Sequence, residues 1–505
     1  MEKVAVIQLD SMSLKLLLVD VEGPYYKIYD EVVENLKLGL EIARDGLISI
    51  SSVSQSLKIL RMFRKVCDIN KVTKSYSIAT DIFKQAKNDK SFFEEIYNNT
   101  GFNFNILNQD EITKAIYSGV VNTMDAPKGI VMNIDYSTTT IINYNRRNLL
   151  KTFVLPYGAL NLAEKFETFA GDNASKLKAM TAFVLEEIKN NVEYEEIKPE
   201  QEMSFIGSGD SFLNLGKLAR KALRYPLELE NNYEVLAETV NNVYDFVAGL
   251  DIDKTMRLKG ISSERADMLA SGIAIVKALK EFYNFADVKI SDGTIRDGII
   301  FNYVVPQVND KPLSEMLNYS LESIRTFYDG GQDSLNHFYQ LTLILFKQVK
   351  VLHKLPRYYV KPLKIATSMS ESGKRINFDK HIESSFSVIL NSKIYSAAQK
   401  EILLAAFASL CQNPDALNLS DWIKYKDILN EEDLDAVRKI GMIIKLAHAL
   451  DKSQNNVVED INCDILGDSV ILKTVVKGDA SFEILLANKI APEFKKVFKK
   501  NLQVI

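Results

Sequence analysis

Two stretches of the chain share one pattern of apolar and polar positions. Residues 4–9 and 14–19 (VAVIQL and LKLLLV) are apolar runs separated by Asp10-Ser11-Met12-Ser13. Residues 129–134 and 139–144 (GIVMNI and TTIINY) are similar runs separated by Asp135-Tyr136-Ser137-Thr138. Short β-rich runs bounded by small polar residues predict strand–turn–strand units. In each unit a third strand follows, at residues 24–38 after the Gly23-Pro24 break and at residues 149–155, and then helical sequence. The first helix is expected over residues 51–69, behind Ser49, Ser51 and Ser52 as cap residues, with Leu57, Leu60, Met62, Phe63 and Val66 as its apolar stripe.

Further along, residues 73–80 read as a strand, 81–90 as the start of a helix, 92–100 as a helix and 102–106 as a strand. Asn108 to Glu111 open a helix reaching about residue 122. Residues 203–206 read as a strand ending at Gly207-Ser208-Gly209, 263–283 as one long helix, and 287–290 as a strand ending at Ser291-Asp292-Gly293. Alternating strands and helices indicate an α/β fold, and its repeated opening implies two similar lobes flanking a cleft. Past residue 303 the pattern turns helical: residues 314–355 read as helix and helices dominate to 453. Residues 462–477 return to strand-like alternation, and 478–505 read as one helix and a final strand. The breaks at Val305-Pro306 and Lys311-Pro312 mark the change.

Composition narrows the function. At 505 residues, 47% hydrophobic and 25% charged, the chain is an ordinary multidomain globular protein. A net charge of −4 gives no overall attraction to nucleic acid or an anionic membrane, so neither is an expected partner. Cys67, Cys411 and Cys463 are scattered and odd in number, which suits a reducing compartment and gives no zinc spacing. The chain opens directly on strand-like sequence, so no signal peptide and a cytoplasmic location are expected.

Taken in order, a series of motifs resembles the exopolyphosphatase and guanosine pentaphosphate phosphohydrolase (Ppx/GppA) family. They are Lys37-Leu38-Gly39 with Gly46-Leu47-Ile48-Ser49, Ala79-Thr80 through Lys84 to Asn88, and Asp110-Glu111 through Gly119-Val120. Pro156-Tyr157-Gly158, Gly207-Ser208-Gly209, Lys259-Gly260-Ile261 and Ser291 through Arg296-Asp297-Gly298 continue the series. The resemblance implies two actin-like (ASKHA, ribonuclease H-like) lobes at 1–125 and 126–303. It further implies a mainly α-helical HD-like domain at 304–460 and a small α+β tail at 461–505. It also implies hydrolysis of inorganic polyphosphate or guanosine pentaphosphate with Mg²⁺ if active, no cofactor otherwise, and a homodimer.

By the same resemblance Glu111 falls where the family handles the attacking water, while its place at a helix start also suits simple dipole complementation. Ser11, Ser13, Ser137, Thr138, Lys37, Lys84, Gly207, Ser208 and Gly209 fall at phosphate-binding positions. The two loops nevertheless lack the glycines that let backbone approach an anion. Acids are missing at Gln8, Asn133 and Thr140, and Asp10 and Asp135 stand where phosphate would sit. Two like charges about 4 Å apart repel by roughly 4 kcal/mol at an effective dielectric near 20, about three orders of magnitude in binding. Asp10 and Asp135 could jointly hold a bridging cation, or simply shape their turns.

In the HD-like region the positions of metal ligands read Ser370-Glu371, His381 with Ile382, Glu383 and Ser384, and His448, so no metal is expected there. Two readings remain open: a phosphohydrolase with a degenerate site and weak or no activity, or a catalytically inactive member that binds a ligand or a protein partner.

Overall fold

The computed structural model describes residues 1–167, 173–192, 202–305, 312–329 and 334–505. The chain divides into two compact units, Met1–Met316 and Leu317–Ile505. The expected breaks at Pro306 and Lys311 lie outside the described residues, as do residues 330–333 within the helix expected over 314–355.

The first unit contains two sheets built on one plan. In the first, β1 (Glu2–Leu9), β2 (Ser13–Glu22), β3 (Tyr25–Asn35), β4 (Lys74–Ala79) and β5 (Phe104–Ile106) lie in the order β3-β2-β1-β4-β5. The hairpin strands pair antiparallel, whereas β4 joins β1, and β5 joins β4, in parallel. Val4 to Leu9 and Leu16 to Val19 are buried on both faces, which is why their sequences are nearly continuous apolar runs. One face packs Ala5, Ile7, Leu9, Leu14, Leu16 and Leu18 against Leu57, Leu60 and Phe63 of the helix Ile50–Ile69. Met62 does not join that stripe. It lies five positions past Leu57, off the buried side of the helix, and is 53% exposed.

The second sheet comprises β6 (Lys128–Ile134), β7 (Thr139–Asn145), β8 (Asn148–Leu155), β9 (Ser204–Ser208), β10 (Tyr233–Leu236) and β11 (Asp287–Ile290). Its order, β10-β11-β9-β6-β7-β8, repeats the first plan with one added antiparallel edge strand. Thus β6 and β7 occupy the places of β1 and β2, and β9 runs parallel to β6 as β4 does to β1. Ile130, Met132, Ile134 and Ile141 form the core with Leu177, Met180 and Val184 of the helix Asn173–Asn191 and with Ile273 and Val276 of the helix Leu269–Tyr283.

Two expected helices are divided. Residues 263–283 form a 3₁₀ segment, Ser263–Met268, and then the α-helix Leu269–Tyr283; the segment brings Asp267 to Lys37. Residues 81–90 form the 3₁₀ segment Asp81–Gln85 ahead of the helix Asp89–Thr100.

The second unit contains the helices Val360–Met369, His381–Asn391, Gln399–Leu410 and Glu431–Leu450. Its three-stranded sheet is β12 (Val458–Leu466), β13 (Ser469–Val476) and β14 (Asn501–Val504). Two helices, Ser481–Lys489 and Ala491–Phe498, stand where one was expected; Pro492 lies in the first turn of the second, where a missing N–H costs nothing. Among the described residues no helix is long and apolar enough to cross a membrane.

Candidate functional site

The cleft of the first unit is built around the two four-residue turns at the heads of β1/β2 and β6/β7. Each is closed by the same backbone bond: Asp10 N–H donates to the Ser13 carbonyl and Asp135 N–H to the Thr138 carbonyl, both at 3.0 Å. The turns meet through Ser11 Oγ and Ser137 Oγ, 3.2 Å apart. Neighbouring backbone holds the second turn closely. A Cβ on Gly158 would come within 2.4 Å of the Asp135 carbonyl and 2.6 Å of the Ser137 and Thr138 amides. Gly209, at φ +86°, opens the helix Asp210–Ala222, and a Cβ there would strike the Ile134 carbonyl at 2.4 Å.

The side chains of the first turn are turned inward. Asp10 Oδ1 accepts from Met12 N–H at 2.9 Å, Ser13 N–H at 2.7 Å and Ser13 Oγ at 3.1 Å. Its Oδ2 meets Lys15 Nζ at 3.1 Å. The Asp10 carboxylate is therefore satisfied within its own hairpin, and the single Ser13 hydroxyl proton is spent on it. Burial alone would lower the Lys15 ammonium, but Asp10, Asp210 and Asp135 outweigh it and hold the lysine above its ordinary value. Lys15 was not among the residues singled out from the sequence. The available signal was a lone lysine in an apolar strand, directly opposite Gln8 in the β1/β2 register.

Asp135 is held differently. Its carboxylate accepts the Tyr136 N–H at 2.8 Å. Removal from water and the nearby Asp10 carboxylate push it up to about 6. The Tyr136 hydroxyl donates to Asp210 Oδ2 at 2.6 Å, so the first residue of the helix Asp210–Ala222 faces the same charge cluster.

A cleft of about 380 Å³ opens beside this cluster. Among the described residues its lining includes six carboxylate side chains, Asp10, Glu31, Asp135, Asp210, Glu230 and Asp292, against two cations, Lys15 and Arg296. Arg296 reaches Glu31 at 3.2 Å, and the Asp297 carboxylate beside it raises its already high pKa. Gln8 and Asn133 line the cleft where acids were missing, and the Gln8 Oε1 has no hydrogen-bond partner among the described residues.

The other predicted site residues are dispersed. Glu111 completes a capping box: its Oε2 accepts from Asn108 N–H at 2.7 Å, and its own N–H donates to Asn108 Oδ1 at 3.0 Å. It does not line the cleft. Lys37, in the left-handed region at φ 53°, ends at Asp267 Oδ2, 3.2 Å away. Lys84 is exposed on the Asp81–Gln85 segment, where its charge acts on Asp81. Ser208 is fully buried and donates to the Gly293 carbonyl at 2.8 Å, and Gly207 leaves room for the Phe212 ring, whose Cδ1 a Cβ there would meet at 2.1 Å.

Mg²⁺, which the sequence resemblance implies, does not fit this donor set. Such an ion takes octahedral oxygen coordination, usually from one or two free protein carboxylates completed by waters and substrate phosphates. Among the described residues no group of three or more acidic, His or Cys side chains converges to hold a metal, and the Asp10 oxygens already serve amides, a hydroxyl and an ammonium.

In the second unit, two of the positions read from the sequence as possible metal ligands meet through a hydrogen bond. His448 Nε2 lies 2.8 Å from Glu371 Oε1, and Lys374 contacts the same oxygen. Burial opposes ionisation of Glu371, but its bonds to His448 and Lys374 prevail and bring it down to about 2. Asp451 binds His337 Nδ1 at 2.7 Å. His381 is separate and bonds only locally, through Nδ1 to the Phe378 carbonyl at 2.9 Å.

Comparison with known proteins finds relatives that include members of the Ppx/GppA family. The family model described as Ppx/GppA phosphatase family matches residues 21–305. A guanosine-5′-triphosphate,3′-diphosphate pyrophosphatase of Pseudoalteromonas translucida is 23% identical over 408 residues, spanning 79% of this chain and 78% of its own. The crystal structure of the Aquifex aeolicus Ppx/GppA family member superposes with a TM-score of 0.53 at 19% identity, covering 61% of this chain and 98% of that one. An exopolyphosphatase from Cytophaga hutchinsonii gives a TM-score of 0.54 at 16% identity, over 61% and 98% respectively. At these identities the two structures establish the shared fold.

Proposed function

The chain belongs to the Ppx/GppA phosphatase family, and from that premise we propose a member that has kept the lobes and lost the hydrolytic site. Its activity on polyphosphate or guanosine pentaphosphate is very weak or absent, and its cleft serves ligand binding. The observation that carries this reading is the state of Asp10, a carboxylate closed within its own turn by Met12, Ser13 and Lys15. Cleaving a phosphoanhydride requires donors and cations aimed at the transferring phosphoryl group, and a base within reach of the attacking water. Here the donors of the first turn face a protein carboxylate. Lys15, the lysine of the cleft lining among the described residues, faces three acids, and Glu111 is engaged in capping its own helix. The helical second unit is read with this as an HD-like domain whose metal positions carry the Glu371–His448 pair instead. A homodimeric assembly and a cytoplasmic location go with the same family reading.

The test is phosphate release from long-chain polyphosphate and from guanosine pentaphosphate, in millimolar Mg²⁺ and in its absence. The expected result is release at the level of the protein-free control in all four conditions. Mg²⁺-dependent turnover that Glu111→Gln abolishes would overturn the proposal and restore Glu111 as the base.

A further inference from the structure

The charge of the cleft points the opposite way from the family's polyanionic substrates. Of its charged lining residues six are acidic and two basic, and both basic ones are already paired, Lys15 with Asp10 and Arg296 with Glu31. An acidic lining alone would say little. A second, independent feature is Gln8, 97% buried in the floor of the first sheet by its 3% exposure. Gln8 lines the cleft, and its carboxamide oxygen, shielded from solvent, has no hydrogen-bond partner among the described residues. A buried acceptor left unsatisfied is costly, and structures seldom keep one unless something fills it. What would satisfy it is a donor, and what the surrounding carboxylates favour is a cation.

We propose that the cleft binds a linear aliphatic polyamine, with one ammonium group near Gln8 and Asp135 and a second lying toward Asp292. This rests on the reading above that the cleft no longer hydrolyses phosphoanhydrides. Three features select this class. A primary ammonium carries both the charge and the N–H donors that Gln8 and the carboxylates can accept. The lining holds Val33, Ile134, Leu213 and Ile295 as well as the acids, so cationic centres joined by methylenes meet both kinds of wall, which a point charge does not. A divalent metal is disfavoured because the Asp10 oxygens are already engaged by amides, a hydroxyl and Lys15, and no three ligating side chains converge among the described residues. The cleft volume of about 380 Å³ is in the range of small-molecule sites.

Isothermal titration of the full chain with spermidine, at pH 8 and physiological salt, tests the proposal. Saturable binding of one equivalent is expected. Asp135→Asn should weaken it by about tenfold, the loss of one close opposite charge, and Gln8→Glu should strengthen it by a similar factor. Gln8→Glu is a gain-of-affinity variant, so impaired folding cannot imitate its effect. Absence of binding, binding indifferent to both substitutions, or Mg²⁺ binding at the cleft in preference to spermidine would overturn the assignment. Phosphate release by the same preparation separates the two failures. No turnover with no spermidine binding refutes only the polyamine site, whereas turnover of polyphosphate refutes the non-hydrolytic reading and this one with it.

Discussion

Asp10 and Asp135 open the same turn at the same place in two lobes of one plan, closed by the same 3.0 Å backbone bond. Their side chains nevertheless live in different circumstances. Asp10 collects two amides, a hydroxyl and an ammonium; Asp135 collects one amide and is pushed up to about 6. The difference begins five residues after each aspartate. At that point the first hairpin has Lys15, opposite Gln8, and the second has Thr140, opposite Asn133. One lysine therefore serves a carboxylate of its own hairpin and two more from the other lobe, Asp135 and Asp210. The lesson is that one substitution means different things in two copies of a fold. An aspartate in place of a turn glycine is structural where a cation and amides accompany it, and an electrostatic burden where they do not.

Lys15 is the first place to break the comparison, and the largest effect is expected there. Lys15→Met leaves the satisfied turn without its cation and three acids without a neutraliser. Removing one member of a largely buried pair costs about 3–5 kcal/mol, to be read as a fall in urea midpoint at unchanged slope. Loss of less than about 1 kcal/mol, the worth of an exposed pair, would show that the network contributes little. A smaller effect should follow at the contact where the two turns touch. Ser11→Ala and Ser137→Ala each remove the same 3.2 Å hydroxyl contact, so each should cost about 0.5–1.5 kcal/mol. The double substitution should cost less than their sum; strict additivity would mean that the hydroxyls do not interact.

The strands and the duplicated opening were legible in the sequence, because continuous apolar runs bounded by polar turns leave few alternatives. The neighbourhood of each aspartate was not, since it depends on which strand face points into the cleft. Lys15 could have been found by projecting β2 at period two beside Gln8. The contact between Lys37 and Asp267 could not, as it joins residues 230 positions apart. Glu111 sat in both of its readings at once from sequence. The Asn108-x-x-Glu111 spacing is a capping-box pattern, and the structure forms that box. The helices Asp210–Ala222 and Ala237–Ala248 have no counterpart in the sequence reading, although Phe212, Leu215, Leu218 and Ala219 lay an apolar stripe along the first.

The most direct test of the account compares the unfolding free energies of Asp10→Asn and Asp135→Asn, measured side by side in urea at pH 8 and pH 4. Asp10→Asn removes a charge that two amides and an ammonium stabilise, so it should be destabilising at pH 8. For Asp135 the folded pKa, about 6, lies above the ordinary value of 3.8. The folded state therefore holds the proton more tightly, and this contribution to stability is complete below about pH 4 and lost as pH rises through 6. Asn cannot ionise and keeps an acceptor for the Tyr136 N–H, so Asp135→Asn should be more stable than the wild type at pH 8 by up to about 3 kcal/mol, roughly 2 pKa units at about 1.36 kcal/mol each, with the advantage vanishing at pH 4. Opposite signs for the two substitutions at pH 8 are the result this account predicts. Destabilisation by both, with no change in the Asp135→Asn difference between the two pH values, would contradict it.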